Sequence, residues 1–338
     1  MKNRIKASFV CLFLLASIQF SNAQTGYKVT KVLHIASNGG WDYPAVDMSS
    51  NKLYLSHATQ VNILDRNTGD SLGFIPNTSG VHGIAFIPSL NKGYTSNGKT
   101  NDVTVFNLTT GKEIGKVATG KNPDWIMYDA FSKKLITSNH SGGDITVIDP
   151  KADTVVATIF ISGIKLETIV SDQAGKLFIN VEDKHQIAEV DIINYKLLNL
   201  WSLEPSEEPT GLAIDVKTKR LFSTCNKKLV VMDATNGKII DTLPIGSGTD
   251  GVVFDASTKL IFTANGEGTI TVIKELTKDS FKVIETIPTK RGARTIALDE
   301  KTHQLYLPTA DYDPTVNPNA KPRPSMSPGS FQVLVVGK

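Results

Sequence analysis

The chain has 338 residues, a formal charge of +3, two cysteines and 20% charged residues. Lys2, Arg4 and Lys6 account for that excess, so residues 24–338 are formally neutral, which argues against an electrostatic nucleic-acid binder. Only Cys225 lies outside the first 23 residues, so those later residues cannot form an intrachain disulfide, and burial and β-pairing must hold the fold.

The first segment reads as a signal peptide over residues 1–23. Its basic start precedes an apolar stretch at 9–18, too short to span a bilayer. Ser21-Asn22-Ala23 supplies the small residues a signal peptidase reads, and Cys11 lacks the small residues of a lipoprotein site before it. The expectation is a periplasmic or secreted soluble product with no other membrane span. A single domain over 24–338, acting as a monomer, is expected to follow.

A strand at 28–36 comes next, and then one pattern repeats. It has a short apolar strand ending in Asp, a polar turn, a second strand, a Gly/Asn/Ser-rich loop, an alternating Val/Ile strand ending in Asp or Asn, a turn and a fourth strand. The third strands are the clearest: Val61-Asn62-Ile63-Leu64-Asp65, Val103-Thr104-Val105-Phe106-Asn107, Ile145-Thr146-Val147-Ile148-Asp149, Ile187-Ala188-Glu189-Val190-Asp191, Leu229-Val230-Val231-Met232-Asp233, Ile270-Thr271-Val272-Ile273-Lys274 and Phe331-Gln332-Val333-Leu334-Val335. Their β-branched alternation favours strands. Thr68-Gly69, Thr110-Gly111 and Asn236-Gly237 supply the positive φ of tight turns. Seven copies at a period of about 42 residues predict an all-β, seven-bladed propeller with four-stranded blades. The seventh copy lacks a fourth strand, and the spare strand at 28–36 is expected to complete it, leaving no open sheet edge.

These residues resemble the YncE-like, YVTN-repeat propeller family. The resemblance rests on Asn122-Pro123 and Thr210-Gly211 at first-strand starts, on Thr137-Ser138-Asn139 and Thr263-Ala264-Asn265 ending second strands, and on the Val-Ile-Asp third strand. It implies the fold. Propellers of this kind host lactonases, lyases, redox enzymes and binding modules, so function must be argued from a site.

First strands of a propeller line its axis. Counting back five residues from the end of each gives Asp42, His82, Asp124, Glu167, Thr210, Asp250 and Arg294, a polar ring whose field would attract cations or polyols. The loops after the second strands add His57, Asn97, Asn139, His140, Glu182, Asn226 and Asn265, while Trp41, Tyr43 and Trp125 could stack on a ligand. The competing reading is that Asp, Asn and Thr at such positions cap their own turns. The variation of the ring from blade to blade favours a ligand, whereas turn structure is favoured for Asn97, Asn139 and Asn265, and His185 and His303 read as surface residues.

His57, His82, His140, Asp124 and Asp250 are acceptable ligands for a divalent metal, although no short-range ligand spacing occurs. No Gly-x-Ser-x-Gly elbow is present, no catalytic residue is assigned, and Cys225 reads as a packed small residue. The proline-rich stretch 309–330 should interrupt the seventh blade as an extended loop, a candidate lid over the ring. The function expected is a binding module that presents an acidic central pocket to a small ligand or an envelope protein. The alternative is a lactonase- or lyase-type enzyme using a divalent ion, with His82 or His140 as acid or base.

Overall fold

A computed structural model describes residues 25–35, 39–312 and 326–338. The signal-peptide expectation at 1–23 and the middle of the proline-rich stretch lie outside these residues.

The described strands form seven four-stranded antiparallel sheets arranged as a seven-bladed β-propeller. Six blades run in chain order from the axis outward. Their innermost strands are Trp41–Asp47, Val81–Ile87, Pro123–Asp129, Leu166–Ser171, Leu212–Asp215 and Thr249–Asp255. The seventh begins with Ala297–Asp299, continues through Gln304–Thr309 and Gln332–Gly337, and takes its outer strand from Lys28–His34. That pairing runs from Lys28 opposite Gly337 to His34 opposite Gln332, so the expected closure is present.

The alternation seen in the sequence has a physical origin here. Second and third strands are buried on both faces, as Lys134–Asn139 and Asp144–Asp149 illustrate, because each blade packs between two others. The core is therefore divided into seven apolar clusters, one per blade interface. Ile136 and Val147 of blade 3 meet Ile179 and Ala188 of blade 4, for example. Leu33, Phe331 and Val333 of blade 7 meet Leu53, Leu55 and Leu64 of blade 1, closing the circle. Among the described residues no helix is long and apolar enough to cross a membrane.

Candidate functional site

One backbone irregularity recurs in five of the seven inner strands around the axial cavity. In blade 1, Trp41 pairs with His57 and Pro44 with Leu55, so the inner strand carries one extra residue. The same bulge follows Val81, Pro123, Leu166 and Thr249. A bulge of this kind re-aims a side chain and leaves backbone N–H groups without ladder partners. Hydroxyls on the second strands satisfy them. Ser56 Oγ accepts from Asp42 N (3.0 Å), Ser96 Oγ from Gly83 N (2.8 Å) and Ser138 Oγ from Trp125 N (3.2 Å). In blade 5, whose inner pair has no bulge, Thr224 Oγ1 accepts from Gly211 N (2.9 Å). Second-strand serines thus satisfy the amides that the bulges of blades 1 to 3 free beside the ring residues.

All seven ring residues, from Asp42 to Arg294, line one cavity of about 530 Å³, together with Tyr43, His140, Glu182 and Asn226. Neighbouring blades lock there through the backbone. Thr295 Oγ1 donates to Asp42 O (2.7 Å), Thr210 Oγ1 to Thr249 O (3.0 Å), and Ser96 Oγ to Asp124 O. Thr210 therefore serves the packing of its blade as well as facing the cavity.

The charged side chains form a continuous sequence around the axis. Arg294 lies 3.3 Å from Asp250 Oδ2 through Nε and 3.6 Å from Asp42 Oδ1 through Nη2. Asp42 Oδ2 is 2.6 Å from His82 Nδ1, which stands 3.4 Å from Asp124 Oδ1. Asp124 Oδ2 is 3.9 Å from His140 Nδ1, which lies 2.9 Å from Glu167 Oε1. Asp124 and Glu167 are only 8% and 6% exposed.

Burial and crowding shift these groups strongly. Burial raises the Asp124 carboxyl, His82 pulls it back, and Asp42 and Asp250 add to the rise, leaving it at about 7. Burial also lifts Glu167 well above the usual range, helped by Asp124 and Asp250. Burial opposes charge on His82, but its hydrogen bond to Asp42 and the field of Asp124 outweigh that and bring it to about 9. His140 is lowered, chiefly by burial. Two imidazoles in one cavity thus hold opposite protonation preferences, as perturbed sites often do.

Three of the expected residues lie elsewhere. His57 is buried against Phe331, its ring 4.2 Å away, with Nδ1 at Asn62 (3.2 Å) and Nε2 at Gly39 O (3.0 Å). Trp41 stacks on the same Phe331. Trp125 packs into the apolar cluster between blades 3 and 4 and meets Tyr43 edge-on at 4.8 Å. Asn97, Asn139 and Asn265 are buried inside their blades, each bonding third-strand threonines such as Thr104 and Thr146. His303 bridges blades 7 and 6 through Asp255 (2.8 Å). The described ends of the proline-rich stretch pair through Tyr312 and Met326, and Tyr312 rests on Trp41.

Asn122, Glu208 and Gly248 also line the cavity but were missed in the sequence. Each stands two residues before a ring position and has positive φ. Applying the repeat spacing to that offset would have found them.

No family model matches the chain, and no curated protein matches it. Among solved structures, hydrazine synthase of Kuenenia stuttgartiensis is similar with a TM-score of 0.71 and 15% identity, over 81% of this chain and 94% of that one. The WD40 repeats of RRP9 are similar with a TM-score of 0.75 and 9% identity, over 90% of this chain and 97% of that one. These likenesses are of fold: seven-bladed propellers superimpose despite unrelated sequences.

Proposed function

We propose that the chain is an exported binding module of the YncE-like, YVTN-repeat kind, processed after Ala23 and acting as a monomer in the periplasm or outside the cell. Its axial cavity takes a small cationic ligand, or a cationic group offered by an envelope protein. One observation carries this reading. Among the described residues six carboxylates line the cavity against one arginine and two imidazoles, and two of those carboxylates are almost wholly desolvated. Burying like charges destabilises a fold, and a cation entering the cavity offsets that loss.

Thermal melting in the presence of a diamine, a neutral polyol and an anionic sugar acid tests it. The diamine is expected to raise Tm by several degrees through mass action. The polyol and the acid should leave it nearly unchanged. Asp124→Asn with Asp250→Asn should abolish the diamine response while keeping the fold. An equal response to all three additives, or a diamine shift that survives the double variant, would sink the reading.

A second reading is favoured by a specific feature. Asp42, His82 and Asp124 form one group of ligand-type atoms within 4.8 Å of one another, and Asp124, His140 and Glu167 form another. These sets suit a divalent ion, and a metal-dependent enzyme of the lactonase or lyase type would use it to polarise a substrate oxygen. One structural neighbour is an enzyme by name and the other a set of WD40 repeats, so the fold does not choose between the readings and the cavity must.

A further inference from the structure

We propose that the axial cavity is built for two divalent transition-metal ions, bridged by the carboxylate of Asp124. The inference deepens the cation-binding reading of the same cavity and rests on it.

The two ligand groups share one residue. Asp124 turns Oδ1 toward His82 Nδ1 and Oδ2 toward His140 Nδ1, at 3.4 and 3.9 Å. Each imidazole has a second carboxylate on its far side, Asp42 for His82 at 2.6 Å and Glu167 for His140 at 2.9 Å. The arrangement is carboxylate, imidazole, shared carboxylate, imidazole, carboxylate, drawn from four consecutive blades. Donors held at about 2.1 Å from one ion stand roughly 3 to 4 Å apart. Three of the four separations already approach that range, and only the His82–Asp42 pair must open by a few tenths of an ångström.

A second observation is independent of the clustering of acids. Asp124 Oδ1 and His140 Nδ1 are shut off from solvent, and neither makes a hydrogen bond. Nδ1 of His140 faces Asp124 Oδ2 at 3.9 Å and Glu167 Oε1 at 2.9 Å, so the imidazole presents this nitrogen to a carboxylate-lined space.

The donor set also selects the ion. One imidazole per position with carboxylate oxygens suits Zn²⁺ or Mn²⁺, whereas Ca²⁺ and Mg²⁺ prefer all-oxygen shells. Three carboxylates against two dications leave a residual +1, which Asp250 and Glu182 on the same wall offset. A shared carboxylate fits the separation of about 3.5–4 Å typical of two-metal centres.

The test uses full-length mature protein, stripped with chelator, reloaded with Zn²⁺ or Mn²⁺ and desalted. Elemental analysis is expected to give two zinc ions per chain, and the Mn²⁺ form an exchange-coupled EPR signal. His82→Gln and His140→Gln should each retain one ion and lose the coupling. Asp124→Asn should lose the coupling and weaken both ions at least tenfold. Cys225→Ser, altered on the same wall, should keep both. Melting curves of the apo variants report whether each has folded. Should a variant not fold, stoichiometry and coupling in the unaltered protein still decide. One ion or none, two uncoupled ions, or two coupled ions in Asp124→Asn would overturn the bridged pair. If zinc fails to bind while the diamine still raises Tm, the pair is wrong and the cation reading stands. If both fail, both fall.

Discussion

Cys225 shows how one residue's surroundings override its chemistry. It ends the second strand of blade 5, where other blades carry His57, Asn97 or Asn139, and it is 3% exposed although its wall faces the cavity. Burial pushes its thiol up to about 12, against the smaller opposing effects of Ser223 and Lys228. At pH 8 it should hold roughly a thousandfold less thiolate than an ordinary cysteine, since each unit of pKa is a factor of ten. Iodoacetamide is accordingly expected to leave the folded protein unmodified over hours and to alkylate it promptly in urea. Alkylation of the folded chain at the rate of the unfolded one would contradict this account. In the sequence Cys225 reads as a packed small residue, alongside the absence of a Gly-x-Ser-x-Gly elbow. The structure adds the cause, which is burial.

The element that recurs most faithfully is the Asp that ends the inner strand. Asp47, Asp215, Asp255 and Asp299 each accept from the turn that follows, for instance Asp255 from Ser257 N and Oγ and from Thr258 N. Burial alone would raise these carboxyls, but hydrogen bonds win and hold them below the ordinary value of 3.8, chiefly from the following turn for Asp47, Asp255 and Asp299 and from Lys259 ahead of the turn for Asp215. A carboxyl depressed in the folded state stabilises above its unfolded pKa, and that contribution disappears as pH falls through the folded value. Asp255→Asn is therefore expected to lower stability by about 1–2 kcal/mol at pH 7, since charge-assisted bonds are lost. The difference from the unaltered protein should shrink as pH drops below 3.8, the ordinary value. Urea midpoints from pH 7 to pH 2 measure it, and a gap that persists unchanged at pH 2 would refute the assignment. This element also explains what was legible. Strand period, turn chemistry and blade number are local properties repeated seven times, so the fold could be read directly. The ring positions followed from the same period because each first strand reaches the axis. What could not be read was which neighbours fill a side chain's surroundings. His57 and Trp41 sit at the right sequence offset, yet Phe331, from the far end of the chain, draws both into the interface of blades 7 and 1. No spacing rule carries that contact.

At the scale of the whole molecule, stability depends on closure. Seven apolar clusters separate seven blades, and each blade is buried only because both neighbours are present. The interface of blades 7 and 1 is completed by a strand from the opposite end of the chain, and its loss would expose the backbone edge of Gln332–Gly337. Leu33 is the anchor. It is 3% exposed, packs with Leu53 and Phe331, and occupies the space that a Cβ on Gly69 of blade 1 would need, at 2.7 Å. Leu33→Ala should cost about 2–4 kcal/mol, as for other buried leucines. Leu198→Ala, on the outer strand of blade 4 and 40% exposed, should cost well under 1 kcal/mol. The two substitutions remove the same atoms, so the contrast isolates closure from hydrophobicity. Hydrogen exchange sharpens the test, because amides of Gln332–Gly337 that donate to Lys28–His34 should lose protection in Leu33→Ala, together with those of blade 1. Were exchange to rise in the N-terminal strand alone, with blade 1 and the melting temperature unmoved, the strand would be an appendage and the ring would hold without it. The axial cavity needs the closed ring, since Asp42 of blade 1 and Arg294 of blade 7 meet only across that seam.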